Sequence, residues 1–164
     1  MITDVDRSHL ARAVELAELA LNSGDEPFGS VLVSADGNTL FEDHNHISGG
    51  DNTQHPEFSI ARWAAANMTP AERAKAVVYT SGEHCPMCAA AHAWVGLGRV
   101  VYASSSQQLS AWLGDLGVSL PPVKTLPINA IAPAVPVEGP VEDLAEKVKS
   151  LHQRLHGGAQ QVNK

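Results

Sequence analysis

Two short fragments, His55-Pro56-Glu57 and Cys85-Pro86-Met87-Cys88, constrain this chain more than any other feature. Each sets a metal-binding side chain directly before a proline. Proline is tolerated in the first turn of a helix, where its missing N–H has no partner to lose. Both fragments therefore read as helix starts that follow a loop or strand. Zinc binds imidazole nitrogen and thiolate sulfur, and a catalytic zinc keeps three protein ligands and an open place for water. His55, Cys85 and Cys88 supply those three. The helix N-terminus behind the cysteines favours their ionised form. Water on such an ion titrates near ~7 and serves as a nucleophile. Glu57, in the same turn as His55, can direct its carboxylate past the metal and alternate as base and acid.

The remaining pattern alternates helices with strands. Apolar residues at Leu10, Val14, Ala17 and Leu21 recur at helical spacing and predict a helix over 4–22, closed by Gly24. Phe28 to Val33 and Thr39 to Asn45 flank Asp36-Gly37-Asn38 and predict a β-hairpin. Thr69-Pro70-Ala71-Glu72 is a capping box. Ala76 to Ser81 reads as a strand. The helix begun at Cys85 is expected to run to Leu97 and stop at Gly98, with a strand at 100–102. A helix over 107–116, one short strand near 126–131 and a helix over 141–155 complete the reading. The expectation is one α/β layered domain over 1–156, with a frayed tail from 157 to 164.

Composition narrows the partners. Eleven Lys and Arg stand against 18 Asp and Glu, a formal net charge of -7 with no basic run. Nucleic-acid binders must neutralise phosphates with a Lys/Arg field, so DNA or RNA is disfavoured as the main partner and a small neutral substrate is favoured. No apolar run is long enough to span a membrane. The acidic start, Met1 to Asp6, lacks the basic and apolar stretches of a secretory signal, so cytoplasmic residence is expected. With Cys85 and Cys88 alone, a disulfide-stapled secreted domain is not expected. The Cys-x-x-Cys spacing is also that of thiol–disulfide exchange. A closed structural zinc site is the other alternative, with His44, His46 or His84 as fourth ligand.

H-P-E followed by C-P-M-C resembles the cytidine deaminase superfamily signature, H-x-E then P-C-x-x-C. Pro27-Phe28-Gly29-Ser30-Val31, Asp51-Asn52-Thr53-Gln54-His55 and Arg99 to Ser105 are similar to its guanine and cytosine deaminase branch. The resemblance covers roughly residues 5–106. It implies a three-layer α/β/α fold around a mixed five-stranded sheet, and a homodimer. It implies one zinc per chain on His55, Cys85 and Cys88, with Glu57 as the catalytic proton carrier. It places Asn45, Phe28, Glu83 and Trp94 around a heterocyclic base: guanine, cytosine, isocytosine or a triazine. A tRNA adenosine deaminase is the rival within the superfamily. Two departures stand out: His84 where the family usually has proline, and an inserted glycine at Gly82. Both lie at the mouth of the site and make His84 a candidate substrate contact. Asp115 is a further candidate in the C-terminal segment.

Overall fold

The computed structural model describes residues 1–157. Helix α1 spans Asp4–Asn22 and is opened by a capping box between Thr3 and Asp6. Strands β1 (Gly29–Val33) and β2 (Thr39–His44) form the predicted hairpin. Helix α2 (Pro56–Asn67) has His55 as N-cap, and α3 (Pro70–Lys75) carries the Thr69–Glu72 capping box. Then come β3 (Val77–Gly82), α4 (Pro86–Trp94), β4 (Val100–Ser104), α5 (Ser106–Asp115), α6 (Ile128–Ile131), β5 (Val137–Glu138) and α7 (Glu142–Gly157). Of the tail expected to fray, Gly157 is the last residue of α7; 158–164 lie outside the described residues.

The five strands make one mixed sheet in the order β2-β1-β3-β4-β5. β1 runs antiparallel to both β2 and β3, while β3, β4 and β5 are parallel. Period-2 alternation splits the strand residues between two helical layers. Val31, Val33, Tyr79, Val101 and Ala103 pack with Leu10, Val14, Leu144 and Val148 of α1 and α7. Leu32 and Val78 pack with Ile60, Ala61 and Ala64 of α2, and Val100 and Tyr102 with Ala89 of α4 and Ile128 of α6. Because β3 and β4 are parallel and β1 opposes them, several segment ends share one edge of the sheet. They are the start of β1 and the ends of β2, β3 and β4. Ligands in open α/β sheets bind at such an edge, beyond the carboxyl ends of the parallel strands.

Two expectations give way. The segment expected as a strand near 126–131 is helix α6, and the short strand lies later, at Val137–Glu138. Pro127 enters α6 as its N-cap, and the N–H of Ile128, which has no acceptor within the helix, donates to the Glu83 carboxylate at 2.8 Å. That partner lies 45 residues away and leaves no local trace. Helix α4 also stops at Trp94 rather than Leu97. Gly96, at φ +71°, turns left-handed, and Leu97 N–H reaches back to the His92 carbonyl. Gly98 sits beyond the helix, where an added Cβ would lie 2.5 Å from the Ala76 carbonyl oxygen.

The α1 cap has a second task. Asp6 is 4% exposed, and besides Thr3 it accepts from the Tyr79 hydroxyl at 2.7 Å and from the Arg99 guanidinium. Burial pushes this carboxyl up, but hydrogen bonds from Thr3 and Tyr79 and the Arg99 charge outweigh it and hold it at about 2. A depressed carboxyl stabilises the fold above its unfolded value, and that stability is lost as pH falls towards 2. Asp6→Asn should therefore lower Tm at pH 7 and flatten the fall in stability between pH 4 and 2 that wild type shows. An acid-melting profile by circular dichroism checks both.

Candidate active site

The two proline-led helix starts meet at the carboxyl end of β3. His55 Nδ1 lies 3.5 Å from Cys85 Sγ and 3.6 Å from Cys88 Sγ. With zinc–sulfur and zinc–nitrogen bonds of ~2.3 and ~2.0 Å, a tetrahedral ion spaces its nitrogen and sulfur ligands by about 3.5 Å. The donor set and its spacing therefore fit one zinc, and the three ligand atoms form a compact group. His44, His46 and His84 stay out of it: the first two cluster with Asp25, and His84 packs edge-on against His92. No fourth protein ligand closes the site among the described residues, as a structural zinc would need.

The electrostatics prepare the ligands. A hydrogen bond from Cys88 draws the Cys85 thiol down to about 4; burial opposes this and the contact with His55 adds to it. Cys85 is thus a thiolate at neutral pH. Its hydrogen bond raises the His55 imidazole to about 9 despite burial, with the charges of Glu57, Cys85 and Glu26 adding to it. The Cys88 thiol is pushed up by its bond to Cys85, by burial and by Glu57.

Glu57 is buried and directs Oε2 to within 3.8 Å of Cys88 Sγ. Its other oxygen, Oε1, is 3.0 Å from the Thr80 hydroxyl, which in turn accepts from Ser30 at 2.8 Å. The β1–β3 register, with Ser30 opposite Thr80, builds this relay. Burial raises the Glu57 carboxyl, and its surroundings only partly offset that. Its proton affinity is thus higher than that of an ordinary glutamate, as a group that both takes and gives protons requires. Thr80 was not among the candidates: a strand hydroxyl 23 residues from Glu57 has no motif to mark it.

Asn45, at the end of β2, is 1% exposed. Its Oδ1 accepts from Ile47 N–H at 3.0 Å, which fixes the amide, while its Nδ2 has no partner. A buried donor without an acceptor is costly and marks a place for one. Phe28 stands edge-on to His152 of α7, ring centres 5.3 Å apart, and its ring lies beside Gly82. His152 is buried with both ring nitrogens unpartnered, and burial, with the His156 charge, lowers it to about 4. Neither His152 nor Glu26, which feels the charges of His55 and His156, was marked by motif or spacing.

The other four candidates have surroundings of their own. Both oxygens of Glu83 are held by backbone N–H groups, of Ser106 and Ile128, each at 2.8 Å. It caps two helix starts that would otherwise lack acceptors. Trp94 is 90% exposed at the end of α4, beside an apolar groove that includes Ile131 and Pro133. His84 is buried against His92. Asp115 is exposed in the last turn of α5.

Residues 3–104 match the model of the cytidine and deoxycytidylate deaminase zinc-binding region. The chain belongs to that family. A probable cytosine deaminase of Schizosaccharomyces pombe is 30% identical over 108 residues, 66% of this chain and 65% of that protein. A tRNA-specific adenosine deaminase of Haemophilus influenzae is 31% identical over 110 residues, 66% of this chain and 64% of that one. The chain thus spans just under two thirds of the length of each. A solved guanine deaminase from Nitrosomonas europaea shares the fold: TM-score 0.68 at 16% identity, covering 96% of this chain and 86% of that one. The fold likeness therefore reaches beyond the family match into the C-terminal elements.

Metal loading should carry the signature of these protonation states. Zinc must displace the protons of His55 and Cys88, so uptake at pH 7 should release about two protons per ion and weaken as pH falls. Calorimetry in buffers of different ionisation enthalpy measures that number. Cys88→Ser should bind zinc far more weakly and release fewer.

Proposed function

We propose that this chain is a zinc-dependent hydrolase that removes an exocyclic amino group from a free nucleobase or related amino-heterocycle, releasing ammonia. The observation that carries the reading is the buried Glu57 carboxyl beside the His55–Cys85–Cys88 group. Zinc, when bound there, supplies an activated water. Glu57 would take a proton from that water and pass it to a ring nitrogen, then take the remaining proton of the hydroxyl left on the attacked carbon and pass it to the amine, which leaves as ammonia. Its raised proton affinity suits both directions of transfer. The Thr80 hydroxyl steadies Oε1, so Oε2 is the oxygen free to work. Asn45 Nδ2 donates to an acceptor on the ring and orients it. Phe28 offers an apolar wall.

Guanine, cytosine, isocytosine and triazine-type rings are the substrate class. The net charge of -7 supports a small base over tRNA. The similarity to a tRNA-specific adenosine deaminase keeps that second reading in the test. No helix among the described residues is long and apolar enough to cross a membrane. The two free cysteines accord with residence in a reducing cytoplasm. A homodimer belongs to the reading.

An ammonia-release screen against purine, pyrimidine and triazine bases, with nucleosides and a tRNA anticodon stem alongside, tests the proposal. Turnover is expected on at least one free base. Turnover on the stem alone would overturn the free-base reading. Glu57→Gln should keep its zinc and lose on the order of 10²–10⁴-fold in kcat. Thr80→Val should lower kcat while zinc content stays unchanged, and Asn45→Ala should cost ~10–100-fold in kcat/KM.

A further inference from the structure

A second cluster of metal-ligating side chains lies apart from the His55 group. One ring nitrogen each from His44 and His46 and one oxygen of Asp25 lie within 4.8 Å of one another. We propose that these residues form a second metal site, for a divalent transition ion of the zinc, nickel or cobalt type, that clamps the loop carrying Asn45. The inference does not rest on the reading of the activity.

Three segments supply the ligands. Asp25 follows the end of α1, His44 closes β2, and His46 lies two residues further on. Asp25 is 4% exposed, and its Oδ1 accepts from Ser48 N–H at 2.7 Å. Burial raises its carboxyl, but the hydrogen bonds from Ser48 outweigh this and keep it below its ordinary value. It is therefore an anion at neutral pH. Neither histidine is hydrogen-bonded to it, close as they are. Each spends one nitrogen on another partner instead.

Those partners decide the tautomers. His44 Nδ1 is 3.0 Å from the Asn45 carbonyl oxygen, which only accepts. Nδ1 thus carries the proton and Nε2 keeps a lone pair. His46 Nε2 is 2.9 Å from Asp43 Oδ1, an acceptor when ionised. Nε2 is then the donor, and Nδ1 keeps the lone pair. Metal-bound histidines characteristically donate their second N–H to a carbonyl or carboxylate in this way. The result is two imidazole lone pairs and a buried carboxylate, with ring centres 4.3 Å apart. Imidazole nitrogens select ions such as zinc, nickel or copper over magnesium or calcium. His46 is exposed and gives an entry path and room for water ligands.

Asn45 lies between the two histidines in sequence, and its amide is held by Ile47 from the same loop. An ion on Asp25, His44 and His46 would tie the end of β2 to the end of α1 on either side of that amide.

The test uses the full chain without a histidine tag, its first site loaded with zinc. After dialysis against zinc, and separately against cobalt, metal is counted per chain. Wild type is expected to hold two ions. His46→Ala, at an exposed position, and Asp25→Asn should each lose one. The extra cobalt should add weak visible bands without the intense thiolate-to-cobalt absorption of the cysteine site. Cys88→Ser should retain the second ion while losing the first. Nickel should raise the Tm of wild type and leave that of His46→Ala unchanged. One ion per chain in wild type, or a second ion that persists in His46→Ala, would overturn the proposal.

Discussion

The meeting of two helix starts over the end of β3 is the contact on which the rest of this molecule turns. His55 caps α2 and Cys85 caps α4, and their side chains stand 3.5 Å apart. For this to occur, α2 and α4 must lie side by side on one face of the sheet. That leaves α1 and α7 to cover the other face. It also fixes where the loops go. The strand ends nearest the meeting point supply Asn45, Phe28 and the Glu83–Cys85 segment.

Proline makes this arrangement cheap. A proline in the first turn removes a backbone donor that no helix bond would have used, and it presets the backbone angle. The N-cap residues His55 and Cys85 make no side-chain cap hydrogen bond. Their side chains stay free for each other and for an ion. Capping is delegated elsewhere: Thr69, Ser105 and Thr3 close their own helices with capping boxes. The division between helix starts that serve stability and those that serve chemistry follows residue type along the chain.

Features whose cause is local could be read from the sequence alone. The capping boxes, the hairpin turn and the proline-led starts all lie within a few residues of what they organise. The ligand set was legible because zinc chemistry demands particular atoms at short offsets. The capping contacts of Glu83 left no trace in the sequence because its partners, Ser106 and Ile128, are 23 and 45 residues away. The same distance hid α6, since a short apolar run has no period to tell helix from strand. Thr80 gained its role through the β1–β3 register, and His152 through the packing of α7 against Phe28. Trp94 shows the converse: large and apolar in the sequence, yet exposed at the end of a short helix.

Asp6 carries one more implication. It caps the first turn of α1, yet two of its four partners come from Tyr79 and Arg99. During synthesis those side chains emerge long after the helix does. Until they arrive, Asp6 holds only its own N-terminus, and a lone helix of this length is marginal in water. Helix α1 thus waits on segments made after it for its final anchor. That dependence raises the mean sequence separation of native contacts, which slows folding in small domains. It also leaves the apolar face of α1 only partly covered, by β1, until β3, β4 and α7 have been made.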